Sequence, residues 1–139
     1  MGVVVVDTSF FFAVYAERDK NHEAATAWYS QFDHDLVTTP VIAAEMDHLL
    51  RRREAQVERL VAANLATRAL EVDWWDGAVD SCWTIVDARP DIGLADASLV
   101  ALAAHRRTTR IATFDERHFR TLTPLTGESA FTLLPADAN

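Results

Sequence analysis

The residues that most constrain this chain are 3–7 of its opening "MGVVVVDTSFFF". Val3 to Val6 are four consecutive β-branched residues with no polar alternation. Such a run reads as a strand buried on both faces, as in a parallel sheet covered by helices. Asp7 ends it. A carboxylate inside a protein carries a free-energy penalty or takes up a proton unless a hydrogen-bond donor, a cation or a metal faces it. The rest of the sequence should therefore supply a partner for Asp7.

The remaining elements follow from periodicity and turn chemistry. Thr8 or Ser9 is placed to cap a short apolar helix from Phe10 to Ala16, and "KNHEAATAWYSQF" reads as a second helix with Ala24, Trp28 and Phe32 on one face. "DLVTT" reads as a strand. Thr39 and Pro40 then start a helix, threonine as N-cap and proline in the first turn, where its missing N–H costs nothing. That helix runs to about Arg53, and another follows through Ala69. "ALEV" reads as a third strand. "WDGAVDSCWTIVDAR" reads as a helix turning Val79, Cys82, Trp83 and Val86 inward, with Pro90 ending it. "LADASLVALAAHRR" is a helix, "TRIATF" a strand ending at Asp115, and "AFTLLP" a last strand. Strands alternating with helices predict an α/β fold, a three-layer α/β/α sandwich with a central, mostly parallel sheet. One domain is expected over residues 1–135, followed by a loose tail, 136–139.

Composition narrows the classes. The chain has 139 residues and is 50% hydrophobic, enough for one sizeable core. The one cysteine, Cys82, rules out an internal disulfide and a multi-cysteine zinc site. No segment reaches the roughly 20 apolar residues of a membrane span and no leader pattern precedes Val3, so a cytoplasmic protein without membrane attachment is expected. A net charge of -8 argues against gripping nucleic acid by bulk electrostatics, although the basic residues cluster, Arg51, Arg52, Arg53 and Arg59 in one group and Arg106, Arg107, Arg110, Arg117 and Arg120 in another. The histidines show no spacing suited to a metal pair, and no serine sits in a Gly-x-Ser-x-Gly elbow.

Four acids stand where apolar residues surround them. Asp7 and Asp115 each follow a strand, at the sheet edge where open α/β folds bind ligands. Glu45 lies among Ile42, Met46 and Leu49 at helical spacing, and Asp96 shares a face with Leu99, Val100 and Ala103. Each has an ordinary explanation alone: amide hydrogen bonds for Asp7, an arginine for Glu45, a helix dipole for Asp96, a cap for Asp115. Together, without a cation, they would repel and raise one another's pKa values. Oxygen ligands without histidine or cysteine favour Mg²⁺ or Mn²⁺ over zinc.

The ordered set "VVVVDTS", "TTPVIAAEMDHLL", "IGLADASLVALAAHRRTTRIATFDERHF" and "FTLLP" resembles the PIN-domain ribonucleases, specifically the VapC-type toxins of bacterial toxin–antitoxin pairs. The resemblance covers nearly the whole chain. It implies an endoribonuclease that hydrolyses phosphodiester bonds of transfer or ribosomal RNA, leaving a 3′-hydroxyl and a 5′-phosphate and inhibiting translation. It also implies that Asp7, Glu45, Asp96 and Asp115 form the catalytic, metal-binding quartet, with Mg²⁺ or Mn²⁺ as cofactor and hydroxyl support from Thr8, Ser9 and Thr113. Asp91 is an extra acid to which the resemblance assigns no role. The partners implied are a VapB-type antitoxin, an RNA substrate and a second copy of the chain in a homodimer within a toxin–antitoxin hetero-oligomer.

Arg106, Arg107, Arg110 and Arg117 flank the strand that delivers Asp115 and are candidates for tracking RNA phosphates. The aromatic residues Phe10 to Phe12, Trp28, Trp74, Trp75 and Trp83 fill a core or line an antitoxin groove or dimer face. The alternatives to a toxin are a non-catalytic Mg²⁺-binding regulatory or RNA-binding module and a housekeeping nuclease of RNA maturation. A receiver-type module wants a lysine after a late strand, and the only lysine is Lys20.

Overall fold

The Val3–Val6 run is the middle of the sheet. The computed structural model describes residues 2–31, 33, 35–53 and 55–138, the side chain at 53 excepted. Phe32, His34, the Arg53 side chain and Asn139 lie outside the described residues. In chain order the elements are β1 (Val3–Val6), α1 (Thr8–Tyr15), α2 (His22–Ser30), β2 (Asp35–Thr38), α3 (Pro40–Arg53), α4 (Ala55–Ala66), β3 (Glu71–Val72), α5 (Ala78–Ala88), α6 (Leu94–His105), β4 (Arg110–Ala112), α7 (Glu116–Phe119) and β5 (Thr132–Leu134). The five strands pair in the order β3-β2-β1-β4-β5, all parallel. Val4, Val5 and Val6 are fully buried, as a two-sided run in a central strand requires.

The strand order dictates where a site can form. From β1 the chain steps outward through β2 to β3, then crosses back to β4 on the other side of β1. The connections carrying α1–α4 and the one carrying α5–α6 run in opposite directions along the sheet, which leaves a crevice between the carboxyl ends of β1 and β4. Asp7 and Asp115 follow those two strands.

α6 carries the core. Every residue from Ala97 to Ala103 is buried, the all-round burial of a helix packed on several sides, here against α5, α3 and β1. The start of α3 is locked to it. The Ile42 N–H donates to Thr39 Oγ1 (3.2 Å), Thr39 and Ser98 hydroxyls lie 2.8 Å apart, and Ser98 Oγ donates to the Ala95 carbonyl (2.7 Å). Because the serine proton is already used, Thr39 is the donor between them. Each buried hydroxyl thus gives one bond and receives one, and the helix bearing Glu45 is pinned to the helix bearing Asp96.

The sequence expectations for α5, for α2 and for the start of α1 are corrected. On α5 the buried stripe is Ala78, Cys82 and Ile85, while Val79 and Trp83 are exposed, at 65% and 63%. The apolar residues of α5 occupy two adjacent stripes, and periodicity alone does not say which one meets the core. On α2 the buried alanine is Ala25, not Ala24, again one position away. Within the C-terminal segment, Asp137 accepts from Arg120 (2.7 and 2.8 Å) and from the Leu133 N–H (2.7 Å). The start of α1 differs too, since Asp7 occupies the N-cap position and the Thr8 and Ser9 hydroxyls serve other partners.

Replacing Thr39 by valine removes the cap and breaks the relay at a fully buried position. The expected loss is about 2 kcal/mol of unfolding free energy, with Thr39→Ser recovering most of it, read as the midpoint shift in urea denaturation.

Candidate metal centre

Asp7 is 5% exposed, and its carboxylate is held by two hydroxyl relays. Ser9 Oγ donates to Asp7 Oδ2 (2.9 Å) and itself receives the Phe114 N–H (2.9 Å). Thr113 Oγ1 donates to the same oxygen (2.8 Å) and receives the Asp115 N–H (2.9 Å). The loop after β4 is thereby fastened to the residue that ends β1, so the geometry that orients Asp7 also places Asp115. Burial pushes the Asp7 pKa up, Glu45 adds to the rise, and the Thr113 and Ser9 hydroxyls with the Thr8 amide oppose it.

The other acids close the same cleft, which has a volume of about 430 Å³. Glu45 faces it from α3 and accepts a hydrogen bond from Thr8 Oγ1 (2.7 Å). Unlike Ile42 and Met46, which are buried, Glu45 is exposed; it shares the cleft wall with Leu49 rather than the helix's core face. Asp96, in the first turn of α6, has its pKa pushed up to about 6 by burial and by the charges of Asp7 and Asp115, with His118 pulling the other way. All four acids and the three hydroxyl residues named from sequence, Thr8, Ser9 and Thr113, are brought together here.

Sequence reasoning missed His118. It lies on α7, three residues after Asp115, with Nδ1 3.1 Å from Asp115 Oδ2 and 3.2 Å from Asp96 Oδ2. One ligand atom from each of Asp96, Asp115 and His118 falls within 4.8 Å of the others. The available signal was the i, i+3 spacing from a strand-end acid, which puts two side chains on one helical face. Asp19 and Asn21, in the α1–α2 turn, also border the cleft, and nothing in the sequence marked them.

The arginines are placed differently from the acids. Arg106 and Arg107 follow α6 and Arg110 opens β4, at the sheet edge opposite the cleft; Arg106 is ten residues from Asp96, about 15 Å along a helix. Arg106 pairs with Glu71 and with Asp73 (3.2 Å), fastening the β3 edge to the end of α6. Arg117 alone of the four sits next to the cleft, exposed on α7. Asp91 is gripped by Arg89 through two bonds of 2.9 and 2.8 Å and lies outside the cleft lining, though the charge of His118 also reaches it.

The donor set fits a divalent cation. Four carboxylates converge, burial and neighbouring carboxylates keep the Asp7 and Asp96 pKa values raised despite the hydroxyls at Asp7 and His118 at Asp96, and a hard cation would relieve both.

Comparison with known proteins places this geometry in a family. The PIN domain family model matches residues 4–123. Ribonuclease VapC26 of Mycobacterium tuberculosis is 34% identical over 136 residues, covering 95% of this chain and all of that protein. Among solved structures, the Mycobacterium tuberculosis toxin VapC20, which cleaves the sarcin–ricin loop, superposes with a TM-score of 0.75 at 20% identity over 81% of this chain and 90% of its own. A toxin–antitoxin complex from Klebsiella pneumoniae gives a TM-score of 0.67 at 13% identity, over 87% of this chain and 97% of that one. The last two likenesses are likenesses of fold. The match through residues 4–123, with identity to a VapC ribonuclease along nearly the whole chain, shows that this protein belongs to the PIN-domain family, among its VapC-type members.

Proposed function

We propose that this protein is a Mg²⁺- or Mn²⁺-dependent endoribonuclease and the toxin of a toxin–antitoxin pair, acting in the cytoplasm on transfer or ribosomal RNA. The observation that carries this reading is the convergence of Asp7, Glu45, Asp96 and Asp115 on one cleft at the β1/β4 crevice of a VapC-type chain. Among the described residues no helix is long and apolar enough to cross a membrane.

Asp7, Asp96 and Asp115 would hold the cation, with Glu45 completing the acid wall. Bound there, it supplies positive charge to the phosphoryl oxygens and acidifies a water. The protein's own groups do the rest. Ser9 and Thr113 keep the Asp7 carboxylate oriented, so its position does not have to be found during the reaction. Thr8 holds one Glu45 oxygen, leaving Oε2 to accept a proton from the attacking water. The water oxygen would bond to phosphorus as the P–O3′ bond breaks, O3′ leaving with the electron pair and taking a proton from a solvent water, so that one fragment ends in a 3′-hydroxyl and the other keeps the 5′-phosphate. Arg117, beside Asp115, is the arginine of the four best placed to meet the RNA backbone. The partners under this reading are the RNA, a VapB-type antitoxin and a second copy of the chain.

The direct test is incubation of antitoxin-free protein with total bacterial RNA, with Mg²⁺ or Mn²⁺ and with chelator. Discrete fragments are expected only with metal, and Asp96→Asn should slow their appearance by about 100-fold or more while remaining folded. A folded, metal-binding wild type that cuts nothing would refute the nuclease reading. Thr113→Val, which frees Asp7 from one relay, should weaken Mn²⁺ binding by about 10–100-fold in calorimetric titration.

The raised Asp96 pKa sets a pH dependence. Its folded-state value, about 6, lies above the ordinary 3.8, so the metal-free native state binds this proton more tightly than the unfolded chain does. The contribution of Asp96 to stability is therefore fully present at pH below the ordinary value and is lost as pH rises through about 6. A cation takes the proton's place. The melting-temperature gain from saturating Mn²⁺ should be large at about pH 7.5 and small at about pH 5, as read by differential scanning fluorimetry.

A further inference from the structure

The Nδ1 of His118 faces two carboxylate oxygens from elements far apart in sequence, Asp96 Oδ2 at the start of α6 (3.2 Å) and Asp115 Oδ2 after β4 (3.1 Å). A ring nitrogen carries at most one proton, so it cannot give each carboxylate its own hydrogen. Adjacent ligand atoms on an octahedral ion with bonds of about 2.1 Å stand about 3.0 Å apart, close to both separations. One ligand atom from each of the three residues lies within 4.8 Å of the others, compact enough for a single cation to meet all three.

The turn that carries the ring is also held in place beforehand. Phe119, the next residue, is 1% exposed and anchors the short turn of α7 in the core. Arg120 then clamps the same turn by bonding Glu116 (2.9 Å) and Asp137. Asp115 and His118, at i and i+3, are left on the side facing Asp96.

We propose that His118 is a nitrogen ligand of the divalent cation held by Asp96 and Asp115, and that it biases the centre toward transition ions such as Mn²⁺ over Mg²⁺. This rests on the metal-centre reading above and goes beyond its all-oxygen ligand set. Imidazole suits first-row transition ions, Mn²⁺ least among them, but Mn²⁺ still accepts a nitrogen donor more readily than Mg²⁺, which takes oxygen ligands and keeps several waters. Without His118 a water can fill the place on Mg²⁺ at little loss, while Mn²⁺ loses a favourable donor. The competing use of the ring, as an internal counter-cation that moves aside when metal arrives, predicts no bond between metal and nitrogen.

Electron spin-echo envelope modulation of the Mn²⁺-loaded wild type, prepared with natural and isotopically labelled histidine, decides between them without a variant. Modulation from a directly bound imidazole nitrogen is expected, changing with the label. In parallel titrations His118→Gln should lower Mn²⁺ affinity about tenfold or more and shift Mg²⁺ affinity by less than about twofold. Mn²⁺ that binds the wild type and is lost with Asp96→Asn, yet shows no nitrogen modulation, would overturn the His118 assignment and leave the acid centre standing. Failure of the wild type to bind either ion would overturn both.

Discussion

The Asp7 carboxylate joins the two halves of the molecule. It stands at the end of the central strand, out of water, and its Oδ2 receives the Ser9 and Thr113 hydroxyls, which in turn receive the amides of Phe114 and Asp115. A buried polar group is tolerable only when its bonding is complete, and here completion requires the β1 and β4 ends to meet in one arrangement. The crevice between them is therefore defined by hydrogen bonding as well as by strand order. Two further links extend the same logic: Thr8 ties Glu45 to the start of α1, and the Thr39–Ser98 relay ties α3 to α6.

These links hold together groups that repel. Burial raises the proton affinity of Asp7 and Asp96, Glu45 adds to it at Asp7 and the charges of Asp7 and Asp115 add to it at Asp96, and the metal-free fold bears that electrostatic cost. Sites of this kind are stable only because the surrounding core is large relative to the conflict. The all-parallel sheet and the fully enclosed middle of α6 supply that core.

Much of this was legible in the residues. Val3–Val6 announced a two-sided strand, and the alternation of elements announced the layers, because both depend on local periodicity. Asp7 stood out because a charge in an apolar frame is a local contradiction, whereas Glu45, picked on the same ground, lies off the core face of its helix. Where reading failed, the deciding information was three-dimensional. Val79 and Trp83 are as apolar as Cys82 and Ile85, and which stripe of α5 meets the core depends on the rotation of the helix against α6. His118 is an ordinary helix residue until α6 brings Asp96 beside it. Arg106 sits among arginines that suggest a phosphate track, but Glu71 and Asp73 claim it from a strand remote in sequence. Asp137 is held by the Leu133 backbone and by Arg120, seventeen residues earlier, a pairing that no local pattern marks.

The enclosure of α6 has a mechanical corollary. With every residue from Ala97 to Ala103 packed, the helix can shift only if the core around it shifts, so Asp96 inherits the positional precision of the whole interior. Glu45 and His118, by contrast, project from exposed or half-exposed positions whose side chains can turn without disturbing that packing. The cleft thus has one stiff wall and one compliant wall, so that a polynucleotide of irregular shape could be accommodated on the yielding side while the reacting phosphate is registered against the rigid one.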